Sequence, residues 1–403
     1  MKILFFSFLR SLGSRPFEAV ARRRARLANN LGLRLRKLGR HEEALKAAER
    51  AVAGYRDLAA QRPDAFLPEL VASLNNLGTN LRDLGRREEA LKANEEAAAL
   101  YQDLSGRQPD AFLPNFAASL NNLGIGLSVL GRREEALKAT EKAVTIYRDL
   151  AGARPDTFLP DLAASLTGLG TMLGEVGRRE EALKAAEEAM AGFRSLAGQR
   201  PDVFLSGLAA SLFGLGTRLW DLGRREEALK ATEEAVAISR DLSGRRPDAS
   251  LPDFAASLHN LGAMLREVGR REEALKAAEE ATAVYRGLAG RRPDAFLPIL
   301  AINLRNLAFV LSDLGRHEEV FKVTEEAIRT LAPFFIRHPS AFGSQMKLMV
   351  DNYRESSAEA GQEPDEEFLR PIVKMLSDGE QAETSVECVN VVSTVALGGS
   401  ESM

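Results

Sequence analysis

Leucines at steps of three and four mark this chain along most of its length. In one stretch Leu74, Leu77, Leu81 and Leu84 share a face of an α-helix. Gly85 follows and predicts the helix end, because a residue without Cβ enters left-handed dihedrals cheaply. Glu88 and Glu89 then open a second helix, where their charge suits the positive end of the helix dipole. Ala90, Leu91, Ala97, Tyr101 and Leu104 give that helix its apolar stripe. The segment Gln108-Pro109-Asp110-Ala111-Phe112-Leu113-Pro114 reads as a linker broken twice, with Pro114 as the first residue of the next helix.

The same pattern returns at a fixed interval. Gly39, Gly85, Gly131, Gly177, Gly223, Gly269 and Gly315 stand 46 residues apart. A fixed period with helix-turn-helix punctuation predicts a solenoid, in which each repeat buries its stripe against its neighbours. The expected fold class is all-α.

Three features carry a family resemblance. They are Asn75-Asn76-Leu77-Gly78 (again Asn121 to Gly124), the following Gly-Arg-Arg-Glu-Glu-Ala, and the alanine pair Ala90 and Ala97. Together they resemble the tetratricopeptide repeat in its kinesin-light-chain-like subtype, over roughly residues 25 to 339. The resemblance implies a right-handed α-solenoid, and a non-catalytic scaffold that binds a peptide or protein segment in its concave groove. Two departures stand out. The repeat is about a dozen residues longer than the usual 34. The bulky aromatic expected midway along the second helix is replaced by Ala48, Asn94, Thr140, Ala186, Thr232, Ala278 and Thr324.

Divided on this pattern, residues 1–24 read as a divergent half-repeat that caps the array, and 25–338 as seven repeats. Residues 339–377 read as C-terminal capping helices and 378–403 as a disordered acidic tail. In most repeats an aromatic near the end of the second helix (Tyr101, Tyr147) is matched by a linker Phe eleven residues on (Phe112, Phe158). Repeat five has Ser239 and Ser250 instead.

Composition narrows the function. A net charge of −3 over 403 residues, with Arg-Arg followed at once by Glu-Glu, argues against a nucleic-acid binder. Only Ala21 to Arg40 is strongly basic. The lone cysteine, Cys388, forms no internal disulfide, which fits a cytoplasmic protein. No apolar run is expected to span a membrane. The four histidines show no zinc spacing, and Gly124-Ile125-Gly126 lacks the third glycine of a dinucleotide loop. We therefore expect a monomeric chain with no catalytic residue, no metal and no cofactor.

Candidate binding residues come from comparing the repeats with one another. Counted back from the turn glycine at about 100° per residue, positions −1, −4, −8 and −11 face the core, and −2, −3, −6, −10 and −13 face away. The second set lines the groove in tetratricopeptide proteins. Position −10 holds Asn29, Asn75, Asn121, Thr167, Phe213, His259 and Arg305; −6 holds Leu33, Thr79, Ile125, Thr171, Thr217, Ala263 and Phe309. Position −3 holds Arg36, Arg82, Ser128, Gly174, Trp220, Arg266 and Ser312. The expected groove has a cationic, hydrogen-bonding mouth of Arg26, Asn29, Asn30, Arg36 and Lys37, continued by Asn75, Asn76, Thr79, Arg82, Asn121 and Asn122. Phe213, Thr217, Trp220, His259, Arg305 and Phe309 follow, and Trp220 is the candidate hot spot. Such a groove suits a partner with an acidic segment and an apolar anchor. The alternative from a different class is a regulatory module of a larger assembly whose catalytic partner lies on another chain.

Overall fold

The computed structural model describes residues 2–378, without the side chains of residues 2–17, 37, 248, 249, 340 and 341. The described residues are helices joined by short turns. They are α1 Lys2–Lys37, α2 His41–Gln61, α3 Pro63–Asp83, α4 Arg87–Arg107, α5 Pro109–Val129, α6 Arg133–Ala153, α7 Pro155–Glu175 and α8 Arg179–Gln199. Next come α9 Pro201–Asp221, α10 Arg225–Arg245, α11 Pro247–Glu267, α12 Arg271–Arg291, α13 Pro293–Asp313, α14 His317–Arg337 and α15 Pro339–Glu359. A last helix, α16, covers 366–378. The chain forms two compact units, one up to Ala228 and one from Leu229.

The long period has a simple origin. From α3 to α4 the repeat is two helices of 21 residues, a three-residue turn and a one-residue joint. Gly85 makes the turn with φ +74°. Its N–H reaches Arg82 O at 2.9 Å and the Arg86 N–H reaches Leu81 O at 2.9 Å, which pairs two end carbonyls. The joint is Gln108, held at φ −139° and ψ 78° because the following Pro109 disfavours α dihedrals for its predecessor. Pro109 is itself the first helical residue. This corrects the expected linker: Pro114 lies inside α5, in its second turn, and only one break separates the repeats. Tyr147 Oη donates to the Pro114 carbonyl at 3.0 Å, tying the second helix to the first.

Within a repeat the two helices approach closely at the glycine seven places before the turn. A Cβ on Gly78 would meet Asn94 Oδ1 and lie 3.3 Å from the Ala90 carbonyl. That closeness explains why the facing position holds only Ala, Asn or Thr where an aromatic was expected. Position −11 supplies the deepest core residues, including Leu74, Leu166 and Leu212 in the first unit and Leu258 and Leu304 in the second. The Tyr101 and Phe112 rings meet with centroids 6.5 Å apart, whereas Ser239 is buried with no ring to offer.

Both ends differ from the sequence reading. α1 runs unbroken from Lys2 to Lys37, so residues 1–24 are not a separate second helix. At the other end the 46-residue frame persists: Pro339 and Gly361 follow Pro293 and Gly315 at that interval, and Gly361 has φ +64°. α15 is thus the first helix of an eighth repeat, with α16 as its shortened second helix. The expected tail from 379 lies outside the described residues. Among the described residues two helices, α9 and α13, are long and apolar enough to cross a membrane by length and composition, contrary to the expectation that no run would be. Inside the array their apolarity has another use, since α13 packs against both α12 and α14.

Candidate functional site

Consecutive first helices come close at α1 to α3, α3 to α5, α5 to α7 and α7 to α9 in the first unit and at α11 to α13 in the second, though α13 and α15 do not approach to the same extent. Consecutive second helices of a unit do not approach to the same extent among the described residues. The first helices therefore line the inner side, and the candidate residues lie on them.

Most of the asparagines already have work. Asn76 Nδ2 donates to Asn29 Oδ1 at 2.9 Å, Asn75 Nδ2 to Ser119 Oγ at 2.9 Å and Asn121 Nδ2 to Ser165 Oγ at 2.6 Å. These bonds stitch one repeat to the next. The carboxamide oxygens of Asn75 and Asn121 are left buried without a partner. Asn122 gives its carbonyl to Asn94 Nδ2 at 3.2 Å. The Thr79 and Thr217 hydroxyls donate back to the Asn75 and Phe213 carbonyls. Arg26 and Asn30 are exposed, and the Lys37 side chain is outside the described residues.

In the second unit the same register is closed by a directional chain. Asn306 Nδ2 donates to His259 Nε2 at 2.8 Å, and His259 Nδ1 donates to Asn303 Oδ1 at 2.9 Å. Asn303 Nδ2 then donates to Thr282 Oγ1 at 2.7 Å. An oxygen on one side and an NH2 on the other dictate the tautomer. Arg305 is half-buried with Nε unpartnered, and burial pushes its guanidinium below the usual arginine range.

Two of the aromatic candidates, Trp220 and Phe309, are covered by cations. Arg225 lies 3.9 Å above the Trp220 ring and donates from Nη1 to the Trp220 carbonyl at 2.7 Å. Arg266 lies 5.3 Å from the Phe309 ring. Trp220, Phe213 and Phe309 are all half-buried. Phe309 belongs to the second unit and the other two to the first.

A second ladder joins position −3 of one repeat to −2 of the next. Arg36 pairs with Asp83 at 3.6 Å, Ser128 Oγ donates to Glu175 at 2.8 Å, and Arg266 pairs with Asp313 at 2.5 Å. At repeat eight the −2 residue, Glu359, is met instead by His317 from beyond the turn glycine, at 2.8 Å. Arg82 stands at the ladder offset from Val129. It is half-buried and has no ion-pair partner among the described residues. Val129 and Ile125, one helical turn apart on α5, are 39% and 41% exposed. The sequence reading missed Val129. Its signal was the −2 column, acidic at Asp83, Glu175, Asp221, Glu267, Asp313 and Glu359, and apolar only here past repeat one.

Among the described residues no group of three His, Cys, Asp or Glu side chains is placed to hold a metal ion. Tetratricopeptide-repeat family models match residues 24–59, 70–110, 208–248 and 254–294, and a further one 115–195, together more than half of the chain. No protein of curated function matches it. Among solved structures, BtubC (BKLC) from P. vanneervenii is similar at 21% identity and TM-score 0.50, covering 62% of this chain and 92% of that one. A Podosopora anserina kinesin light chain with nearly identical TPR-like repeats is similar at 22% identity and TM-score 0.42, over 55% of this chain and 97% of that one. At such identities the likeness concerns the fold. The family models and the repeat geometry agree: the chain belongs to the tetratricopeptide repeat family, and with that family to the protein-interaction scaffolds.

Proposed function

We propose that the first unit binds an extended peptide segment across α3 and α5, acting in the cytoplasm as a non-catalytic scaffold. One observation carries this reading. Where neighbouring repeats close the −3/−2 ladder with an acid, the register sets Val129 against Arg82, which has no carboxylate partner among the described residues, and Val129 and Ile125 are partly exposed. A half-buried cation without a counter-charge attracts one from outside. The partner segment carries an Asp or Glu for Arg82 and a Leu, Ile or Val for Ile125 and Val129. Asn75 and Asn121, held by the neighbouring serines, set rigid amides beside it.

The test is selection from a phage-displayed library of random twelve-residue peptides, on the full chain and on its Val129→Asp variant. The expected consensus has an acidic residue within a few positions of an aliphatic one, and it disappears in the variant. An identical consensus from both proteins, or one without acids, refutes the site.

A further inference from the structure

One face of α1, continued by Leu38 just past its end, carries an apolar stripe with no counterpart elsewhere among the described residues of the first unit. Val20, Leu27, Leu31 and Leu38 are between 50% and 69% exposed. Their spacing puts them within about 20° of one line along the helix, over about 27 Å. Each is a position that a later repeat covers. Moved on by one period they become Phe66, Ser73, Leu77 and Leu84; Phe66 is 3% exposed and Ser73 is buried. Leu77 and Leu84 pack on a cluster that includes Leu45 of α2, the second helix of the preceding repeat. The stripe on α1 is therefore the receiving half of the inter-repeat interface, with nothing seated on it among the described residues. α1 itself does not turn back to cover it, since it continues in one piece to Lys2.

Charge selects the occupant. Arg22 is paired with Glu69, Arg36 with Asp83 and Arg40 with Glu43. Arg23, Arg24, Arg26 and Arg34 are exposed and have no partner among the described residues. Arg23, Arg24 and Arg34 lie within about 60° of the stripe, on both sides of it. Two such faces repel each other, so a second copy docked face to face is disfavoured. We propose that this face docks an acidic amphipathic helix of a partner protein, seated as α2 sits on α3. Its leucine would take the place beside Leu31 and Leu38 that Leu45 takes beside Leu77 and Leu84, and its glutamates would flank it toward Arg24 and Arg34.

The experiment measures binding of a fluorescein-labelled 21-residue peptide to the full chain by anisotropy. The peptide has the sequence of α8 with Arg179→Glu, Lys184→Glu and Arg194→Glu. A control peptide has α8 with Glu180, Glu181, Glu187 and Glu188 each changed to Lys. The acidic peptide is expected to bind at least tenfold more tightly than the control, with affinity falling as salt rises. Leu27→Ser with Leu38→Gln, and separately Arg24→Glu with Arg34→Glu, each cost at least tenfold while circular dichroism stays unchanged. Equal binding of both peptides, no binding, or full affinity in either variant overturns the proposal. So does a concentration-dependent dimer, seen by light scattering, that Leu27→Ser with Leu38→Gln abolishes, because a second copy is then the occupant. Binding that emerges only after Glu380→Lys, Glu383→Lys and Glu387→Lys overturns it too, by making the chain's own tail the cover.

Discussion

Repeats two and three place Arg82 opposite Val129; repeats six and seven place Arg266 opposite Asp313. The backbone register is the same in both, and so is the arginine. In the second unit the guanidinium is spent twice, on the Asp313 carboxylate at 2.5 Å and on the face of Phe309. In the first unit it has no ion-pair partner among the described residues, and Ile125 and Val129 at the matching register are partly exposed. One substitution in the −2 column thus separates a surface closed upon itself from a surface open to a partner. The scaffold tolerates both, because an ion pair that keeps part of its surface in water, as this one does, contributes only on the order of 1 kcal/mol to stability. Stability cannot be the reason for the difference; recognition can.

The comparison is fair only while the two sites share a backbone, and the largest expected effect comes from breaking that condition. A Cβ on Gly124 meets Thr140 Oγ1 and comes within 3.2 Å of the Ala136 carbonyl, whereas repeat seven has Ala308 there. Gly124→Val should cost about 1–3 kcal/mol in urea unfolding and, by shifting α5 under Ile125 and Val129, abolish peptide selection. A variant as stable as the parent would mean that α5 and α6 are not packed as closely as described.

Next in size is Val129→Asp, which copies the second unit's arrangement into the first. We expect at least a tenfold loss of affinity for a peptide selected by the parent, about 1.4 kcal/mol, measured by calorimetry. The reverse, Asp313→Val, frees Arg266 from its carboxylate. It should raise affinity for an acidic-aliphatic peptide in the second unit, by a smaller factor because Arg266 still covers Phe309. Unaltered binding in both variants would show that the −2 column does not govern recognition.

How much of this was legible beforehand follows from what each feature needs. The repeat, its helices and its turn glycines were readable because periodicity and the missing Cβ act locally. The eighth repeat was not, since Gly361-Gln362-Glu363 has lost the basic pair used as the marker while keeping the glycine. Pro114 was misplaced because a proline in the second turn of a helix leaves the same local trace as one at its start; the Gln108 joint decides between them. The groove asparagines were recognised as hydrogen-bonding residues, but their partners, Ser119 and Ser165, stand 44 residues away. The cover over Trp220 comes from Arg225 beyond the turn, where no helical spacing points. Contacts across a turn or between repeats depend on side-chain direction, which a one-dimensional pattern does not carry.

The smallest expected effect is the most discriminating. If Val129→Asp acts by closing the surface, the new carboxylate must engage Arg82, and a double-mutant cycle measures that engagement. Arg82→Met, Val129→Asp and the pair are compared with the parent by urea unfolding. Since both groups stand on helices with part of their surface in water, the coupling should be about 0.2–1 kcal/mol and should shrink as salt is raised. No coupling would mean that the introduced carboxylate disrupts binding by its own charge alone, repelling the acidic residue of the peptide. Arg82→Met separates the two routes in the binding experiment as well. With no arginine to satisfy, a peptide whose acid is replaced by glutamine should bind Arg82→Met as well as it binds the parent, because what remains of the site is then Ile125 and Val129.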